Sequence, residues 1–191
     1  EKASPGYYEV LLDKHAIKAQ LSTSYRSGMH QYSFPAGAAT GSILVDLVHR
    51  DQVLDASIEK VSDTEVRGYR RSKSWATDQT VFFYIRFEKP IKEFALEGID
   101  ELDVKRHLKR DGRKIKAFFS FDLGADQTVK AKVGISGVSM EGARLNLDTE
   151  ISGWNFEKVK NDAMSAWNKE LGKIEVKGGT RDQQTVFYTA L

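Results

Sequence analysis

Cysteine is absent from the 191-residue chain, which excludes disulfide frameworks, thiolate metal sites and cysteine nucleophiles together. The compartment stays open, because an exported protein can also lack cysteine. Long apolar runs are missing as well. The longest, Ser42 to Val48 and Val81 to Ile85, fall far short of the roughly 20 residues of a membrane-crossing helix, so no membrane-spanning segment is expected. Charge of one sign is scarce: 29 Lys and Arg face 27 Asp and Glu, a formal net charge of +2. Only Lys105 to Arg113 forms a basic run, which argues against a nucleic-acid or membrane-surface binder. The opening Glu1-Lys2-Ala3-Ser4-Pro5 has neither a Met nor an apolar core, so it reads as a processed or excised start and not as a signal peptide.

Motifs with strong chemistry are lacking too. His15, His30, His49 and His107 stand too far apart for metal-type spacing, and each reads as structural or surface. No nucleophile elbow, phosphate-binding glycine loop or dinucleotide fingerprint occurs. Asp46, Asp51 and Asp55 lie close in sequence, and paired acids are what glycoside hydrolysis uses. Turn-forming aspartate is the competing reading, and nothing in the spacing makes the three converge.

What is present is 40% hydrophobic residues in a chain long enough to bury about 70% of its unfolded surface. Apolar residues alternate with polar ones through the first three quarters. Tyr8, Val10 and Leu12 form one such row, then Ile17, Ala19, Leu21, Thr23 and Tyr25, then His30, Tyr32 and Phe34. Val81, Phe83, Ile85 and Phe87 alternate with Phe82 and Tyr84, a pattern for a central strand covered on both faces. Ile115 to Phe121 and Val129 to Ile135 repeat the alternation across a turn-rich link. About eight strands at this spacing predict a mainly β, antiparallel sandwich. Glu97 to Arg113 has no clean period and reads as an exposed loop, with a short helix over Glu101 to Arg110 as the alternative.

From Ser139 the period becomes helical. Met140, Ala143, Leu147 and Ile151 line one helix; Phe156, Val159, Ala163, Trp167 and Leu171 line a second, capped by Asn155 and stopped by Gly172. Lys173 to Lys177 reads as a short strand. Thr180 and Gln183 then form a capping box that launches a third helix, with Phe187 and Leu191 on one face. Residues 1–138 are therefore expected to form the sandwich and 139–191 a helical segment leading to a further domain, the chain being a piece of a longer protein.

The segment Gly68 to Gln79 stands out chemically. Trp75 on a loop, flanked by Arg70, Arg71, Asp78 and Gln79, has the makings of a sugar platform. The indole covers the apolar face of a pyranose and planar polar groups take its hydroxyls. A Trp folded back onto the sandwich with surface ion pairs is the alternative.

Several segments in order resemble the N-terminal domain of family-92 glycoside hydrolases, calcium-dependent bacterial exo-acting alpha-mannosidases. They are Glu1 to Tyr8, Asp46 to Asp51, Gly68 to Gln79, Val133 to Ser136, Glu141 to Arg144, Ala166 to Leu171 and Gly178 to Leu191. The resemblance implies a supersandwich similar to that of galactose mutarotases, joined by helices to an α/α toroid. It also implies inverting hydrolysis of terminal mannosides, with alpha-1,2 links favoured and N-glycan degradation as the setting, and export to the periplasm or cell surface. In such enzymes the acid, the base and most calcium ligands belong to the toroid, and the family's first strands and a sugar-contacting aromatic loop precede the point matching Glu1. No catalytic or metal-binding residue is therefore carried over, and this piece is expected to be inactive alone. Trp75, Arg70, Arg71, Asp78 and Gln79 become candidates for the substrate rim, and the toroid and a mannose-containing glycan become the expected partners. An independent carbohydrate-binding module and an interaction scaffold are the alternatives.

Overall fold

Among the described residues, 12 strands precede three helices in the computed structural model, which describes residues 1–97 and 109–191 apart from the side chains of Lys109 and Arg110. The strands are β1 (Lys2–Ser4), β2 (Tyr7–Leu12), β3 (Ile17–Thr23), β4 (Ser27–Ser33), β5 (Thr40–Asp46) and β6 (Gln52–Lys60), then β7 (Glu65–Lys73), β8 (Gln79–Phe87), β9 (Glu93–Leu96), β10 (Lys109–Gly112), β11 (Lys116–Asp122) and β12 (Thr128–Ser136). The helices are α1 (Met140–Glu150), α2 (Phe156–Leu171) and α3 (Arg181–Thr189).

All pairing is antiparallel. One sheet has nine strands in the order β1-β2-β3-β4-β12-β8-β7-β6-β10, and the other has three, β5-β11-β9. This is the expected sandwich, and β8 takes the interior place its pattern predicts. Phe83, Ile85 and Phe87 face the smaller sheet, and Tyr84, 5% exposed, faces the helices. Phe87 packs against Phe121 and Phe119 at ring separations of 4.9 and 5.4 Å, and Phe94 stacks on Phe119 at 5.2 Å. These rings fill the centre between the sheets.

The opposite face of the larger sheet is covered by α1 and α2. Ser139 caps α1 by accepting from the Gly142 N–H, and Ala143 and Leu147 are fully buried against the sheet. The contact needs a bare backbone at Gly134, where a Cβ would lie 2.2 Å from the Ala143 carbonyl oxygen. Asn155 caps α2, whose Phe156 and Ala163 are buried, whereas Trp167 stays half-exposed. Lys132 is buried between sheet and helix; its Nζ donates to the Ile151 carbonyl at 3.0 Å and sits 4.5 Å from the Trp154 ring.

Three expectations need correction. Tyr25 is not part of the β3 row but stands in the β3–β4 turn, 93% exposed, because the chain reverses between Thr23 and Gly28, which are paired across it. Lys173 to Lys177 forms no strand: it runs beside α3, where the Val176 N–H donates to the Tyr188 hydroxyl, and no neighbouring strand accepts it. Of the stretch read as a loop, Lys109–Gly112 is a strand paired with β6. The helix alternative over Glu101 to Arg110 and His107 fall largely or wholly outside the described residues.

Candidate functional site

Register places five connections at one end of the larger sheet. Ser4 pairs with Tyr7, Thr23 with Gly28, Gln52 with Lys73, Ser72 with Gln79, and Ser136 with Phe82. The β1–β2, β3–β4, β5–β6 and β7–β8 turns and the β12–α1 link therefore gather there. The segment picked out by its composition is the β7–β8 hairpin: Arg70 and Arg71 end one strand, Gln79 begins the next, and residues 74–78 form the turn.

At the tip the indole of Trp75 is 99% exposed, so it is not folded back onto the sandwich. The turn beneath it is braced by the Ser74 N–H donating to the Ala76 carbonyl at 2.9 Å. Arg71 grips Asp78 with two bonds, Nε to Oδ1 at 2.8 Å and Nη2 to Oδ2 at 2.5 Å. This planar pair holds the Asp78 carboxyl below its usual range and raises the guanidinium above its own. Both side chains remain about half exposed. Gln79 Nε2 donates to the buried Ser72 hydroxyl at 3.3 Å.

Strand alternation sends Arg70 to the other face of β7. Its Nε donates to the Leu47 carbonyl at 3.0 Å and its Nη2 to the Asp51 carbonyl at 3.1 Å, tying the β5–β6 turn to the sheet. The geometry thus brings Arg71 and Asp78 together beneath the exposed Trp75, and places Gln79, paired with Ser72, on the opposite face of the hairpin that Arg70 also faces. The three nearby aspartates do not converge. Asp46 accepts from the Val48 and His49 N–H groups as a turn former, and Asp55 accepts from the Tyr69 hydroxyl at 2.7 Å. That bond, with burial adding to it, raises the Tyr69 phenol above its ordinary value.

Two features at this end had no sequence-level signal. Tyr25 projects from the β3–β4 turn, and Glu150, at the end of α1, clamps that turn from across the chain. Its Oε2 accepts from the Ser24 hydroxyl at 2.7 Å and the Arg26 N–H at 2.8 Å, and its Oε1 accepts from Arg26 Nε at 2.8 Å. Beside the β12–α1 link a groove of about 470 Å³ is lined by Arg26 of the β3–β4 turn together with Val81, Ile135, Val138 and Leu145. The site can present flat rings and paired polar groups to a ligand. Asp78, held ionised in its ion pair, is a poor proton donor. Among the described residues no three acidic, imidazole or thiol groups cluster to hold a metal ion, so the calcium implied by the resemblance does not fit them.

Architecture and surface define a class first: a two-sheet antiparallel sandwich, flanked by helices, with an exposed tryptophan at the tip of one hairpin. Comparison with known proteins then narrows it. The glycosyl hydrolase family 92 N-terminal domain model matches residues 1–136, and the family 92 catalytic domain model matches residues 142–191. The chain belongs to glycosyl hydrolase family 92. An uncharacterized secreted glycosidase of Arthroderma benhamiae is 29% identical over all of this chain and 28% of its own length. A family GH92 alpha-mannosidase from Bacteroides thetaiotaomicron is 27% identical and superposes with a TM-score of 0.86, over 99% of this chain and 26% of that one. That enzyme has also been solved with mannoimidazole. Another GH92-family glycosyl hydrolase is 25% identical with a TM-score of 0.86, over 99% of this chain and 27% of that one. The chain thus spans about a quarter of the length of these relatives. No described helix is long and apolar enough to cross a membrane.

Proposed function

We propose that the 191 residues are the non-catalytic N-terminal sandwich, with the first helices of the catalytic domain, of an exo-acting alpha-mannosidase. Residues 1–138 form the sandwich and 139–191 lead into an α/α toroid that holds the general acid, the general base and the calcium. The two family models falling in tandem on residues 1–136 and 142–191 carry this reading. The likeness to an alpha-mannosidase over almost the whole chain supports it. The parent releases terminal mannose from glycans with inversion, with alpha-1,2 links favoured, and acts outside the cytoplasm in N-glycan degradation; the secreted relative fits that location.

The sandwich braces the toroid and supplies part of the substrate rim. Trp75 covers the apolar face of a mannose unit, the Arg71–Asp78 pair and Gln79 meet its hydroxyls, and Arg70 holds the adjoining β5–β6 turn in register with them. Full exposure of the Trp75 ring supports this assignment, since an indole of that size is normally covered by something.

The test is Trp75→Ala in the full-length gene product. Loss of stacking worth about 1–3 kcal/mol raises KM or lowers kcat on mannosides while the melting temperature holds. Unchanged kinetics with a lowered melting temperature would assign the ring to packing instead. A free-standing binding module predicts sugar binding by residues 1–191 alone, measurable by titration calorimetry; no binding is expected here.

A further inference from the structure

The end of β12 leaves a gap in the larger sheet. This strand lies between β4 and β8 and stops at Ser136, which pairs with Phe82, before the chain turns into α1. Past that point β8 continues to Gln79, paired only on its other side, with β7. On the β4 side the ladder closes at the β3–β4 turn, where the Ile135 N–H donates to the Arg26 carbonyl at 2.9 Å. The groove of about 470 Å³ fills this gap, with Arg26 on one flank and Val81 of β8 on the other, and Ser136, Ser139 and Asn146 also line it. It leads from the flank of the hairpin that carries Trp75 to the turn that carries Tyr25.

That turn repeats the chemistry of the hairpin, an exposed ring beside a fixed guanidinium. Tyr25 is 93% exposed, so its ring adds next to nothing to the core, yet the residues on both sides of it are held. The Ser24 N–H donates to the Ser27 carbonyl at 2.8 Å, and Glu150 binds Ser24 and Arg26 together. The clamp fixes the turn without covering the ring, which lowers the ordering cost to anything that stacks on it. Arg26 is pinned through its backbone N–H and its Nε. Neither of its Nη groups has a partner among the described residues, and the side chain is 60% exposed. A flat ring with planar donors beside it suits a pyranose, whose apolar face takes the ring while its hydroxyls take the N–H groups.

Three strand spacings separate the centre of the β3–β4 hairpin from that of the β7–β8 hairpin, on the order of 14 Å across the sheet. One sugar unit cannot touch both rings, and a disaccharide stacked on Trp75 ends short of Tyr25. We propose that Tyr25 and the free Nη groups of Arg26 form a distal subsite for a later mannose unit of the glycan whose nearer unit stacks on Trp75, the groove being the path between them. The parent enzyme is thereby selective for oligomannosides over disaccharides. This inference rests on the proposed function in taking Trp75 as part of the substrate rim of a mannosidase.

Tyr25→Ala and Tyr25→Phe in the full-length gene product test it, at a position exposed enough for both variants to fold. The readout is the ratio of kcat/KM on a linear alpha-1,2-mannotetraose to kcat/KM on alpha-1,2-mannobiose. In Tyr25→Ala the ratio is expected to fall about tenfold, and in Tyr25→Phe, which keeps the ring, to hold. An unchanged ratio in Tyr25→Ala overturns the inference. So does an equal loss in Tyr25→Phe, which would assign the effect to the hydroxyl and not to stacking. If neither sugar is hydrolysed, titration calorimetry with the mannotetraose decides. Binding about tenfold weaker in Tyr25→Ala than in wild type then sinks the mannosidase reading alone, and equal or absent binding sinks both. Hydrolysis of both sugars with an unchanged ratio sinks the distal subsite alone.

Discussion

Glu150 shows how a single carboxylate sets the shape of the candidate site. Burial raises its pKa, but bonds from the Ser24 hydroxyl and from the backbone and guanidinium of Arg26 outweigh that and leave it below the ordinary 4.5. A depressed folded-state value means the group stabilises the fold above the unfolded carboxylate range. That contribution is lost as pH falls through the folded value. Glu150→Gln is therefore expected to cost about 2 kcal/mol at neutral pH, read by denaturant titration, and the gap from wild type should close below the ordinary carboxylate pKa. A gap that persists at low pH contradicts the charge-based clamp. Asp78→Asn separates binding from stability at the hairpin. The solvent-exposed Arg71–Asp78 pair contributes little to folding, so stability should hold while KM for mannosides rises. A fall in stability with KM unchanged would make the pair purely structural.

Packed elements depend on bare backbone where helix meets sheet. Gly134 lets the Ala143 carbonyl sit against β12, and a Cβ would lie 2.2 Å from that oxygen. Gly134→Ala should force α1 off the sheet and cost upward of about 2 kcal/mol, seen as a lowered melting temperature. An unshifted melting temperature would show that α1 is free to slide. Much of this layer is legible in the sequence, because helical and strand periods record which face of each element is buried. The rows through Val81 to Phe87 and through Met140 to Ile151 lie where their alternation puts them, and the Thr180–Gln183 capping box forms as written. Period is silent about where a strand ends. Tyr25 continues the β3 alternation and yet turns outward, and Lys173 to Lys177 has strand-like residues but no partner. The site is legible in part: Trp75, Arg71 and Asp78 are close in sequence and lie together on one hairpin, whereas Gln79 turns to its other face. The capture of Arg26 by Glu150 spans 124 residues and leaves no local trace, and the opposite courses of Arg70 and Arg71 follow from a register that composition does not fix.

The molecule as a whole is a sandwich with one sheet three times the width of the other, two helices sealing the back of the wide sheet, and the exposed rings of Trp75 and Tyr25 raised at one end. Under the proposed function it is a rigid sugar-handling support, a role that balanced charge and the absence of cysteine suit. The central claim is that this support belongs to an inverting alpha-mannosidase. It is tested most directly by following alpha-1,2-mannobiose with the full-length gene product in calcium-containing buffer by proton NMR. Free mannose is predicted to appear first as the beta anomer and then to mutarotate. Mannose appearing first as the alpha anomer, or no release of mannose from any alpha-linked mannoside, would contradict the claim.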